Sequence, residues 1–147
     1  MRISQWAAGL LALVGAHCAH ASPQFLNSGA VLKGESPFSE AVKINGTLFL
    51  SGQVGIETKT QKLAPGGIEA ESRQAMDNID TILRSNGYAM ADVVKCTVFL
   101  VDMSEWTAFN DIYKSRFETG KYPARSALGV NALALSARVE VECIAAK

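Results

Sequence analysis

From Ala41 onward the chain alternates short runs of strand period with two longer stretches of helical period. Ala41 to Ile44 and Thr47 to Gln53 flank Asn45-Gly46, a pair suited to a two-residue turn in which both residues take positive φ, so a hairpin is predicted. Glu69 to Asn86 carries Ala75, Met76, Ile79, Ile82 and Leu83 at helical spacing, with Asn86-Gly87 as the stop. Val93 to Val101 predicts a strand with Val94, Cys96, Val98 and Leu100 on one apolar face and Lys95 and Thr97 on the other. Ser104 is placed to cap a second helix running to about Thr119, whose aromatic stripe Trp106, Phe109, Tyr113 and Phe117 reads as core. Ala124 to about Val130 and Arg138 to Ala146 are strands around a bend. Ser22 to Pro37 has no periodicity and reads as an extended arm or loop, and Glu57 to Gly67 as a second loop. The order β-β-α-β-α-β-β predicts an α+β two-layer sandwich, a mixed sheet with both helices on one face. The other face is then solvated or covered by self-association.

The chain has 147 residues, 48% apolar and 19% charged, which suits one folded domain with a buried core. Fourteen basic side chains against fourteen acidic ones leave no surplus charge for a phosphate backbone or an anionic membrane. The N-terminus divides this domain from a leader. Arg2, the apolar stretch Trp6 to Ala16 and Ala19-His20-Ala21 before Ser22 follow the layout of a secretory signal peptide. The apolar stretch is too short to span a bilayer. Residues 1–21 are therefore expected to be removed on export, leaving residues 22–147 as the domain of a periplasmic or secreted protein.

Cleavage takes away His17 and His20, the two histidines of the chain. Histidine-based catalysis and histidine-ligated zinc then have no residue to use. Cys18 leaves as well, and Cys96 and Cys143 have no metal-ligand spacing around them. They read as two buried free thiols, since buried Cys behaves as a small apolar residue, although neighbouring strands would permit a bridge. Asn45-Gly46-Thr47 also matches a glycosylation sequon, but the turn explains the same residues.

Two places in the histidine-free domain offer chemistry. Arg138, Glu140 and Glu142 share one parity of the last strand, as a solvated face or as the lining of an interface cleft where burial tunes a carboxylate. Arg125 follows Tyr122-Pro123-Ala124 at a strand start, either as a surface residue or as a planar donor for a ligand carboxylate.

Tyr122-Pro123-Ala124-Arg125-Ser126-Ala127-Leu128-Gly129-Val130, followed by Val139-Glu140-Val141-Glu142, resembles the C-terminal signature of the RidA (YjgF) family. Leu50-Ser51-Gly52-Gln53, Gln74 to Ile79, Val94 to Leu100 and Phe109 to Tyr113 are similar to its other motifs, in the same order. The likeness runs from about Pro37 to Ala146. It implies a chorismate-mutase-like subunit with a mixed six-stranded sheet and two helices, assembled as a homotrimer with clefts between subunits. The activity implied is hydrolytic deamination of reactive 2-enamines and 2-imines, such as 2-aminoacrylate and 2-iminopropionate, to 2-keto acids and ammonia, with no metal or organic cofactor. Carried onto this sequence, Arg125 grips the substrate carboxylate and Glu140 handles the attacking water. Ser51, Gly52, Asn110 and Ala127 line the cleft, and Phe38 closes it.

Ala127 stands where many members have Cys, and Phe38 where Tyr is frequent. Two other functions compete with the deaminase: a non-catalytic trimer that binds carboxylate metabolites or acts as a chaperone, and an endoribonuclease. A histidine-free, charge-balanced domain offers little for RNA, so no nucleic-acid partner is expected, nor a membrane once the signal is gone.

Overall fold

Asn45 and Gly46 take φ of 49° and 76°, so the predicted hairpin turn forms as expected between β2 (Ala41–Ile44) and β3 (Thr47–Leu50). A Cβ on Gly46 would lie 2.5 Å from the Lys147 carbonyl oxygen, which keeps that position to glycine. This computed structural model describes residues 22–147, and the expected signal segment lies outside them. After the hairpin come β4 (Gln53–Val54), α1 (Gly67–Ser85), β5 (Val93–Leu100), α2 (Trp106–Lys114), β6 (Ala124–Gly129) and β7 (Val139–Ala146). Before it, β1 (Gln24–Leu26) pairs antiparallel with β2. The strand order is β1-β2-β3-β7-β5-β6, with β4 also paired to β7. Only β5 and β6 run parallel, joined by the crossover through α2.

The α+β sandwich stands, with several corrections of detail. The sheet has seven strands, not six. Part of the supposed arm pairs as β1, and the long second hairpin strand breaks at Ser51-Gly52 into β3 and β4. In β5 a bulge between Val93 and Lys95 turns Val94, expected on the apolar face, out to solvent and puts Val93 in the core, so the observed face is Val93, Cys96, Val98 and Leu100. Ser104 is not the cap: Asp102 Oδ1 accepts from the Ser104 amide at 2.8 Å and opens a short 3₁₀ turn, Met103–Glu105. The helix proper starts after it and ends at Lys114, short of Thr119.

The core lies between the helices and one sheet face. Ala75, Met76, Ile79, Ile82 and Leu83 of α1 are fully buried against β7 and β4, as the helical spacing predicts. Phe109 is the largest side chain with no exposure, in a ladder of rings from Trp106 through Tyr113 to Phe117. Burying a side chain of this size contributes about 2 to 3 kcal/mol before ordering costs. Two contacts dock the chain after β4 onto α1. Asn78 Nδ2 donates to the carbonyls of Val54 and Ile56 at 3.1 and 2.9 Å, and a Cβ on Gly55 would come within 2.5 Å of Glu71 Cα.

Cys96 and Cys143 are not free thiols. They face each other across β5 and β7, and their sulfurs are bonded, with exposure of 0% and 1%. The bond closes a loop 47 positions long, which in the chain-entropy picture contributes about 4 kcal/mol. Protein refolded under reductant is expected to melt roughly 10 °C lower than the oxidised form in calorimetry. Equal melting temperatures would show that the bond contributes nothing to stability.

Candidate functional site

Arg125 lies opposite Cys96 in the β5–β6 register, and Cys96 faces the helices, so Arg125 faces α2 at the edge of the sheet. Trp106, Asn110 and Tyr113 present one face of α2 to it, at i, i+4 and i+7. The guanidinium carbon sits 4.6 Å from the Trp106 ring centre and 4.5 Å from that of Tyr113. Nη2 donates to Asn110 Oδ1 at 2.9 Å. Two rings and one amide thus hold the plane of a group whose remaining N–H donors suit a carboxylate. Burial pushes the Tyr113 hydroxyl up to about 12 against the opposing pull of Arg125, so the ring beside the cation stays a neutral phenol. Ala127 follows on the same face, half-buried against the core.

Glu140 lies on the other face. Its β7 neighbours Val139 and Val141 are fully buried toward the helices, and Glu140 is paired in register with Phe99 and Val54. Above it passes the break between β3 and β4, where a Cβ on Gly52 would stand 1.9 Å from Glu140 Oε1. Only glycine allows backbone and carboxylate to come so close. Buried Gln53 supports this arch, donating from Nε2 to the carbonyls of Ser51 and Gly52 at 3.0 and 3.2 Å. The Ser51 hydroxyl donates to the Ser39 carbonyl at 2.7 Å, which ties the arch to the residue after exposed Phe38. Burial, and then the like charge of Glu142 two residues on, raises the Glu140 carboxyl above its ordinary value.

The seven residues singled out in the sequence therefore form two groups. Arg125, Asn110 and Ala127 gather on the helix side of β6, and Phe38, Ser51, Gly52 and Glu140 around the β3–β4 arch. Within one chain the two groups lie on opposite faces of the sheet. Arg138 joins neither, because Glu105 holds its guanidinium through Nε at 2.8 and 2.9 Å and through Nη2 at 2.5 Å. Trp106 and Tyr113, read only as core, are the residues that sequence reasoning missed. Their spacing with Asn110 was visible, but not the strand that faces them. Among the described residues no group of three or more His, Cys, Asp or Glu side chains is placed to hold a metal ion.

Known proteins with the same features share sequence as well as shape. Residues 29–147 match the family model described as endoribonuclease L-PSP. A mouse protein named 2-iminobutanoate/2-iminopropanoate deaminase is 44% identical over 109 residues, 74% of this chain and 80% of its own. A Yersinia pestis protein of the conserved Rid family, YyfA, superposes with a TM-score of 0.81 at 34% identity, covering 86% of this chain and all of that one. RidA from the Antarctic bacterium Psychrobacter sp. superposes with a TM-score of 0.79 at 32% identity, over 84% and 99% of the two chains. A family match over most of the length, with the same mixed sheet and paired helices, places this chain in the endoribonuclease L-PSP (RidA) family.

Proposed function

We propose that the protein hydrolyses reactive 2-imino acids and their 2-enamine tautomers to 2-keto acids and ammonia, in a homotrimer whose clefts lie between subunits. The observation that carries this reading is the pair of groups on opposite faces of the sheet. A carboxylate-gripping Arg125 and a proton-handling Glu140 meet one substrate only if they come from two copies of the chain. The inward-facing sheet of a trimer supplies that second copy and covers exposed Phe49 and Leu128. The deaminase name of the mouse relative supports the reaction.

Arg125 binds the substrate carboxylate through its free edge, held flat by Trp106, Tyr113 and Asn110. A water oxygen then bonds to the protonated imine carbon as the C=N π pair moves to nitrogen. Glu140 takes one proton from that water, leaving a neutral carbinolamine. The same proton returns to the amino nitrogen, the C–N bond breaks to release ammonia, and the hydroxyl proton passes through Glu140 to that ammonia as the ketone forms. Iminium and water thus become a keto acid and an ammonium ion, with no residue forming a covalent bond to the substrate. The signal-like N-terminus and the buried Cys96–Cys143 bond support action in an oxidising compartment, periplasmic or secreted.

The first test generates 2-aminoacrylate with a serine dehydratase and follows keto-acid release against semicarbazide trapping. Arg125→Ala is expected to lower kcat/KM by roughly 30- to 4,000-fold, the equivalent of about 2 to 5 kcal/mol for a desolvated charge pair. Glu140→Gln should lower kcat by about 10² to 10⁴ while pyruvate still binds, and equal loss of both would contradict its role. Each variant alone should keep only this residual activity, yet trimers co-refolded from both should regain full activity in about a quarter of their sites, since two chains complete each one. No recovery would place both residues in one subunit's site or remove them from the reaction.

The raised Glu140 carboxyl also sets a pH dependence. Its base form appears only as pH rises through that raised value, so kcat/KM falls in acid at higher pH than for an ordinary carboxylate. Glu142→Gln removes the neighbouring like charge and is expected to move this limb to lower pH. An unmoved limb would assign the titration to another group.

A further inference from the structure

Cys143, Cys96 and Arg125 stand side by side on the helix-facing side of three adjacent strands, each paired in register with the next across β7, β5 and β6. The first two are joined covalently, and the third is the cation proposed to bind the substrate carboxylate. Both cysteines and Tyr113 belong to one buried apolar cluster, against which Trp106 packs. The sulfurs and the two rings that hold the guanidinium are therefore parts of one packed layer.

The two ends of this row are not equally firm. β7 is bonded to β3, β4 and β5 and is packed against α1. β6 is bonded to β5 alone and has no fully buried residue, and α2 has nine residues against the nineteen of α1. Two thiols occupy more room than one disulfide, and a site so deeply buried offers it only through a shift of its neighbours. Within the subunit that shift falls where the packing yields, on β6 and α2, which carry Arg125 and the groups that clamp it. A planar guanidinium held by two rings and an amide loses its alignment when this layer moves, and a small misplacement of a binding group is costly.

We propose that the Cys96–Cys143 bond is a positioning element for Arg125, so that the grip on a ligand carboxylate reaches full strength only in protein folded under oxidising conditions. The proposal rests on Arg125 as the carboxylate-binding group of the imine-hydrolase reading and adds a redox condition to it. A reductant reaches the buried sulfurs only when the chain opens, so the bond is set as the chain folds. Its reduction takes two electrons and two protons from a dithiol, which leaves as its own disulfide.

The test compares oxidised protein, protein refolded under a dithiol, and the variant Cys96→Ala with Cys143→Ala, all well below the melting temperature of the reduced form. Pyruvate binding, followed by calorimetry, is expected to weaken about fivefold without the bond, within the range of coupling between neighbouring groups. KM for 2-iminopropionate should rise by a similar factor with kcat nearly unchanged, because a grip on the carboxylate holds substrate and transition state alike. Arg125→Lys, itself a weaker binder, keeps a point charge with no plane to align, so in that background losing the bond should change binding by less than about twofold. An equal loss in both backgrounds would mark a general loosening of the subunit and overturn the positioning role. If the Ala pair does not fold, Cys96→Val with Cys143→Ala restores volume without the tether and serves the same comparison. Unchanged pyruvate binding alongside imine hydrolysis would sink the proposal and leave the imine-hydrolase reading intact. Bond-dependent binding without hydrolysis of the imine would keep the proposal and remove the reaction, whereas oxidised protein that binds no pyruvate would remove Arg125 as the grip and the proposal with it.

Discussion

The antiparallel pairing of β7 with β5 is the constraint from which the other features follow. Its register sends Val139, Val141, Cys143 and Ala145 onto the helices and Glu140 and Glu142 to the opposite face. A slip by one residue would exchange the two rows, burying two carboxylates and exposing the core. The Cys96–Cys143 bond lies in this pairing and locks it covalently. Because β6 is bonded to the other edge of β5, the same register also fixes how far Arg125 stands from Glu140 across the sheet.

Placing the two charged groups on opposite faces divides the labour between two local environments. On the helix side, rings and an amide hold the guanidinium with no ion pair among the described residues, which suits its charge to a ligand carboxylate. On the open side, partial burial and a like-charged neighbour keep Glu140 ready to accept a proton, and Gly52 allows the backbone to close over it. Arg138 shows the contrast: a guanidinium bound by Glu105 is already neutralised by its own chain. Within one folded subunit the two groups therefore stay on opposite sides of the sheet.

Helix and strand positions were legible because their periods are local. The α1 stripe, the Asn45-Gly46 turn and the alternation along β7 each follow from sterics within a few residues, and the structure reproduces them. Errors fell where distant segments set the outcome. The bulge at Val94 arises from the β5–β7 register, and β1 forms only because the β2 edge is there to accept it. Free thiols were the wrong expectation for Cys96 and Cys143, because spacing along the chain carries no information about which strands become neighbours.

By itself the sequence determined the class of fold, the absence of histidine from residues 22–147, and Arg125 and Glu140 as candidates for binding a carboxylate and moving a proton. Only the tertiary structure decided which face each of those groups occupies, that Trp106 and Tyr113 clamp Arg125, and that a glycine arch covers Glu140. The reason is physical. Side-chain period is a property of neighbouring residues, whereas strand order, register and the approach of one backbone to a distant carboxylate are properties of the packed chain.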